Sequence, residues 1–222
     1  MPDKKRCPRD FPMSTLRLIL YTTLTMCAFA ANSLLCRMAL KETAIDAASF
    51  TGVRLLSAAA MLWLLMRWQR QAPLRHGSWR SALALFVYAA TLSFAYRTID
   101  TGTGALMLFG AVQATMILTG FFAGERMGAM QMAGFVAAIA GLAILVTPGV
   151  EAPSVLDSIL MLASGIAWGV YSLFGRGVSS PAAATAGNFL RTVPLAVALS
   201  LIALPWLQPD ARARCSPRFQ VR

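Results

Sequence analysis

The sequence predicts an all-α integral membrane protein, a multi-span bundle of about seven transmembrane helices. Three observations carry that prediction. First, 57% of the residues are hydrophobic and 13% charged, with a mean hydropathy of +0.61. Soluble domains carry roughly a quarter charged residues, and a water-soluble fold of 222 residues could not hide that much apolar surface. Second, the apolar residues fall into seven runs close to span length, since about 20 residues at 1.5 Å rise cross the hydrocarbon of a bilayer. Third, the Lys and Arg residues sit at the ends of those runs and in the tails. That placement is a topology signal, and it sets nucleic acid aside as a partner despite a formal net charge of +11.

Residues 1–17 form a polar, basic N-terminal segment. The first run, Leu18–Leu35, imitates a secretory signal peptide with Ala28-Phe29-Ala30 as its cleavage site, but the apolar run continues past that site and reads as a span. The second, Ala47–Met66, ends in the basic loop of Arg67, Arg70, Arg75, His76 and Arg80, and Ser81–Tyr96 is the third. The fourth opens on Thr101-Gly102-Thr103-Gly104, stays apolar to Ala123 apart from small residues and Gln113, and closes on Gly124-Glu125-Arg126. Its Gly120 and Gly124 form a G-x-x-x-G pair, which lets two helix backbones approach in lipid. The fifth run, Met127–Thr147, places Gly134 and Gly141 on one face. Pro148, Gly149 and Pro153 mark a linker over 148–154. The sixth, Val155–Phe174, carries a second small-residue pair, Gly165 and Gly169, and the seventh, Asn188–Leu207, contains Pro194, expected to kink it.

Orientation follows from charge. With the N-terminus inside, Lys4, Lys5, Arg6, Arg9, Arg17, Arg67, Arg70, Arg75, Arg80, Arg126, Arg176 and Arg191 face the cytoplasm, against Arg37, Lys41, Arg54 and Arg97 outside. The N-terminus is therefore expected in the cytoplasm, in the cell membrane. The basic tail, residues 208–222, breaks the rule by placing four arginines outside. Cys7, Cys27, Cys36 and Cys215 have no C-x-x-C spacing and suggest neither a metal site nor a disulfide framework.

An internal repeat is legible. Phe29–Arg37 reads FAANSLLCR and Trp168–Arg176 reads WGVYSLFGR, with Ser33, Leu34 and Arg37 matching Ser172, Leu173 and Arg176. Phe50 to Arg54 then lines up with Phe189 to Arg191 after a shorter loop. An odd number of spans separates the copies, so the second enters the membrane in the opposite sense. Such inverted repeats characterise transporters with a midplane substrate site.

Asn32 and Arg37 after the first span, Phe50 and Arg54 in the second, and SFAYRTIDTGTGALMLFGAVQ across the third and fourth together resemble the EamA-like drug/metabolite transporters. So do Gly124-Glu125-Arg126, Gly134 with Gly141, and SGIAWGVYSLFGR. The resemblance covers roughly residues 14–207 and implies two inverted five-helix repeats moving small metabolites or drugs. On that reading, 18–147 is a first five-helix repeat and 155–207 a partial second one of two helices. The tail resembles nothing in the family and looks like out-of-frame translation or a truncated gene. The expected function is export of a small metabolite or drug through a permease. The alternative is a fragment of one that inserts but does not transport. A seven-span receptor fits the span count, but that class normally starts outside.

Polar residues inside bilayer helices cost free energy and are default site candidates. Asn32, Gln113 and the aromatics Tyr88, Tyr96, Trp168 and Tyr171 are expected to line a cavity, amides supplying hydrogen bonds and rings holding an apolar or cationic body. The competing reading for the amides is helix–helix glue, and for Tyr96 an interface anchor. Glu125 is read as pairing with Arg126 or a loop arginine and locking a helix end, with gating as the other role. Arg54 and Arg191 are read as snorkelling to the interface, with binding of a substrate carboxylate as the alternative. No Asp or Glu falls mid-span, so coupling through a buried carboxylate has no support, and His76 has no histidine partner. No G-x-S-x-G or H-E-x-x-H occurs, so neither enzyme activity nor a cofactor or metal is expected. The expected partners are the lipid bilayer and a small-molecule substrate, and a homodimer completing the bundle is left open.

Overall fold

The structure, a computed structural model, describes residues 14–43, 45–70, 72, 75–126, 128–146 and 153–203. The described residues form seven helices and no strand: α1 (Thr15–Glu42), α2 (Ala47–Trp68), α3 (Trp79–Ala95), α4 (Thr101–Phe122), α5 (Ala129–Val146), α6 (Val155–Phe174) and α7 (Pro181–Ala203). Five of them, α1, α2, α4, α6 and α7, are long and apolar enough to cross a membrane, and α3 and α5 are shorter apolar helices. The protein is a multi-span helical membrane protein. The linker over 148–154 lies outside the described residues up to residue 152, as does the tail 208–222.

Local signals set the helix starts. Ser14, Asp46, Ser78 and Ser154 are N-caps whose side chains accept a backbone N–H three residues on, satisfying a donor that has no helical partner. Thr51, Ser93 and Thr115 return their hydroxyl protons to the carbonyls of Ala47, Ala89 and Ala111, which lets hydroxyls sit in apolar surroundings. Helix α7 begins seven residues before the expected Asn188, at Pro181, because Pro at the first helical position costs no hydrogen bond and the following alanines favour helix. It runs on through Pro194 to Ala203.

Packing fixes the directions. Gly165 lies against Leu108 and Ala111, and Gly169 against Thr115, so α6 and α4 run in the same sense. Phe29 meets Phe109 while Arg37 meets Asp100, so α1 runs against α4 and therefore against α6. Gly52 of α2 faces Ser200 of α7, and Met66 packs on Ala183 and Ala186, so those two helices are antiparallel. The core lies where α3, α4 and α6 meet, around Leu85, Tyr88, Leu92, Met107 and Met161. The first half of α1 and most of α5 stay exposed, through side chains such as Leu18, Leu20, Leu24, Val136 and Ile144. In water that apolar surface would drive aggregation, whereas in a bilayer it is the face that lipid covers.

Three expectations are corrected here. Among the described residues, Gly120 and Gly124 are not at a helix–helix contact. Gly124 has φ +89, the Gly124 N–H bonds to Phe121 O and the Glu125 N–H to Gly120 O, and this pair of bonds closes the helix end. A side chain at Gly120 would meet the Glu125 carboxylate, and one at Gly124 nothing within 4 Å. The Glu125 carboxylate is folded back over its own helix, and among the described residues it makes no ion pair with Arg126 or a loop arginine. Tyr96 is not an interface anchor: it is fully buried, its ring against Gly104.

Candidate functional site

Five helices, α1, α2, α3, α4 and α6, bring polar and aromatic side chains together near the middle of the bundle. Arg54 stands two turns into α2, and its guanidinium turns inward instead of snorkelling. Its Nη2 donates to Asn32 Oδ1 of α1 at 3.3 Å and to Tyr88 Oη of α3 at 3.2 Å. The guanidinium carbon lies 5.5 Å from the centre of the Tyr88 ring, within cation–π range. Nη1 is buried and makes no hydrogen bond.

Aromatic rings continue from there. The Tyr88 ring packs on Trp168 of α6 at 4.7 Å, and Trp168 packs on Tyr171 at 5.3 Å. Phe29 of α1 meets Trp168 edge-on at 6.1 Å and Phe109 of α4 at 5.8 Å. Ser164 Oγ donates to the Tyr88 carbonyl at 3.1 Å and ties α6 to α3 beside the cluster. Tyr171 also lines a recess of about 280 Å³ with Ser78, Ser81, Ser172 and Asn188, where the α2–α3 loop meets the end of α6. The recess is held by the buried Asn188, whose Oδ1 accepts the Ser78 N–H at 2.8 Å.

Of the expected cavity residues, Asn32, Tyr88, Trp168 and Tyr171 converge, and Gln113 does not. Gln113 is exposed one turn beyond Phe109, in an open groove of about 720 Å³ against α5 that Phe109 also lines, with other apolar side chains and Gly110, Gly134 and Gly141. That groove is larger than the recess, but among the described residues Gln113 is its one polar side chain. Arg191 donates to the carbonyls of His76 and Gly187, which pins α7 to the α2–α3 loop. Arg126 is exposed beyond the end of α4.

Two members of the cluster were not singled out from the sequence, Phe29 and Phe109. A signal for Phe29 was available, because the repeat aligns Phe29 with Trp168 and Asn32 with Tyr171. Among the described residues no group of three His, Cys, Asp or Glu side chains stands close enough to hold a metal ion.

The model of the EamA-like transporter family matches residues 16–147. Among curated proteins, an uncharacterized protein of Pseudomonas aeruginosa is 54% identical over 190 residues, covering 85% of this chain. The chain spans 66% of the length of that relative. No solved structure matches. With the family's model matched over more than half of its length, on helices that place Arg54, Asn32 and Tyr88 together, the chain belongs to the EamA-like transporter family.

Proposed function

We propose that the protein is a permease of the drug/metabolite type that exports a small molecule across the cytoplasmic membrane. Its substrate site is the cluster of Asn32, Arg54, Tyr88, Trp168 and Tyr171. One observation carries this reading. Phe29 and Trp168 occupy equivalent positions in two copies of one motif, those copies run in opposite senses, and the two rings touch at 6.1 Å. Equivalent residues that touch lie close to the axis relating the copies. In inverted-repeat transporters the substrate site sits at that axis, near the bilayer midplane. The Tyr88–Trp168–Tyr171 path to the recess lined by Ser81 and Asn188 supplies a route from that site toward one face.

Charge sets the orientation. The recess lies beside the basic α2–α3 loop, so under the positive-inside bias it opens to the cytoplasm, with the N-terminus on the same side. Reporter fusions after Arg70 and after Ala203 should report cytoplasm and exterior respectively, and the reverse pattern would overturn the orientation.

Export itself is tested by deleting the gene and loading cells with a panel of amino acids, aromatic acids and cationic dyes. At least one compound should accumulate in the deletion strain and leave at the normal rate once the gene is restored. Identical efflux of every compound from both strains would count against a permease.

A further inference from the structure

We propose, on the reading of this cluster as the substrate site, that it takes a small organic anion, a carboxylate on an apolar or aromatic body. The carboxylate lies against the Arg54 guanidinium, and the body against Phe29, Trp168 and Tyr171.

The argument starts from what surrounds Arg54. The arginines Arg37 and Arg191 meet oxygen atoms of high negative character: Arg37 bonds to the carbonyls of Tyr96 and Arg97 and to the Asp100 carboxylate, and Arg191 to those of His76 and Gly187. Arg54 meets an amide and a phenol, both neutral and both shared by Nη2 alone. Among the described residues no carboxylate pairs with it. Its Nη1 is buried without a hydrogen bond. A guanidinium cannot shed its proton to escape that cost. Burying a charge with neutral partners only is unfavourable, and an anion brought to it recovers the interaction.

Shape narrows the class. Both N–H groups of Nη2 are committed to Asn32 and Tyr88, so the open donors are those of Nη1, and a carboxylate oxygen is the acceptor they match with a charge-assisted bond. Tyr88 Oη accepts from Arg54 and keeps its own proton to donate to the same anion. The Trp168 ring, 4.7 Å from Tyr88 and 5.3 Å from Tyr171, supplies an apolar wall beside Tyr88. A quaternary ammonium body would also suit those rings, but it would sit against the positive charge of Arg54. The charge decides for the anion.

The test measures binding to the chain reconstituted in lipid nanodiscs, using phenylacetate, 3-phenylpropionate, the amides of both, and benzyltrimethylammonium as probes. The carboxylates should bind saturably, with the amides and the ammonium at least about thirtyfold weaker, the usual scale for loss of one partner of a desolvated charge pair. Arg54→Gln should erase the preference for carboxylates, Arg54→Lys should retain part of it, and Trp168→Ala should weaken both acids. The comparison of acid with amide is made on the unaltered protein, so it stands even where Arg54→Gln does not fold. Amides or ammonium binding as tightly as the acids would overturn the proposal, as would a carboxylate preference that survives Arg54→Gln, or saturable binding of no probe. Amides that bind as tightly as the acids and are lost in Trp168→Ala would sink the anion and spare the site, whereas binding indifferent to both Arg54 and Trp168 would sink the site itself.

Discussion

Gly165→Leu should leave little folded protein in mild detergent, and Gly165→Ala should already lower the thermal midpoint by several degrees. A Cβ at this position would stand 2.5 Å from the Leu108 carbonyl oxygen and 2.6 Å from the Ala111 Cβ. Both neighbours belong to the α4 helix wall and neither can rotate away. Overpacking typically costs about 1–3 kcal/mol, and here α6 must move off α4 along the seam that also carries Ser164 and Trp168. In a chain of this size each kcal/mol corresponds to roughly 2–4 °C. Gly134→Ala, with nothing within 4 Å, and Gly120→Ala, facing only the mobile end of Glu125, should stay close to the unaltered protein. A Gly165→Leu protein as stable as those two would show that α6 and α4 are not in contact.

The second large effect is expected from Arg37→Ala. Arg37 is 9% exposed, and its Nη1 donates to Tyr96 O at 2.8 Å and Arg97 O at 2.9 Å. Those carbonyls end α3, where the helix dipole is negative, and Tyr96 is fully buried. Charge-assisted bonds of this kind contribute about 1.5–3 kcal/mol each, and unmade buried carbonyls add a penalty. The ion pair to Asp100 is a smaller matter: the Asp100 side chain is 81% exposed, and exposed pairs contribute roughly 0–1 kcal/mol. Arg37→Ala should therefore destabilise by about 2–4 kcal/mol, and Asp100→Asn by under about 0.5 kcal/mol. Equal losses from the two substitutions would shift the weight to the ion pair and contradict the assignment.

The seven runs were legible because length and apolarity suffice to mark a span. Their faces were not. Gly120 and Gly124 satisfy a packing motif by spacing, yet Gly124 is needed for a positive φ at a helix end, and spacing cannot separate those two uses of glycine. Gln113 was rightly costly inside a span, but one residue of helix is 100° of rotation, and only the partner helix tells which side it faces. Arg54 read as a snorkelling cation because position along the span was known and direction was not. Its inward turn depends on Asn32 and Tyr88, which are 22 and 34 residues away in sequence. The start of α7 was missed because the alanines after Pro181 are weakly apolar and strongly helical, so hydropathy understated them. Phe29 was recoverable, since the repeat that aligned Ser33 with Ser172 also aligned Phe29 with Trp168.

The location of the substrate site is tested most directly by comparing Trp168→Ala and Gln113→Ala in the export assay, with equal amounts of each protein in the membrane. Trp168 touches Phe29, Tyr88 and Tyr171, whereas Gln113 faces the groove against α5. Export should fall roughly tenfold or more in Trp168→Ala, equivalent to about 1.4 kcal/mol of lost substrate interaction, and stay unchanged in Gln113→Ala. Full export by Trp168→Ala together with loss in Gln113→Ala would place the substrate between α4 and α5 and contradict a site built around Arg54.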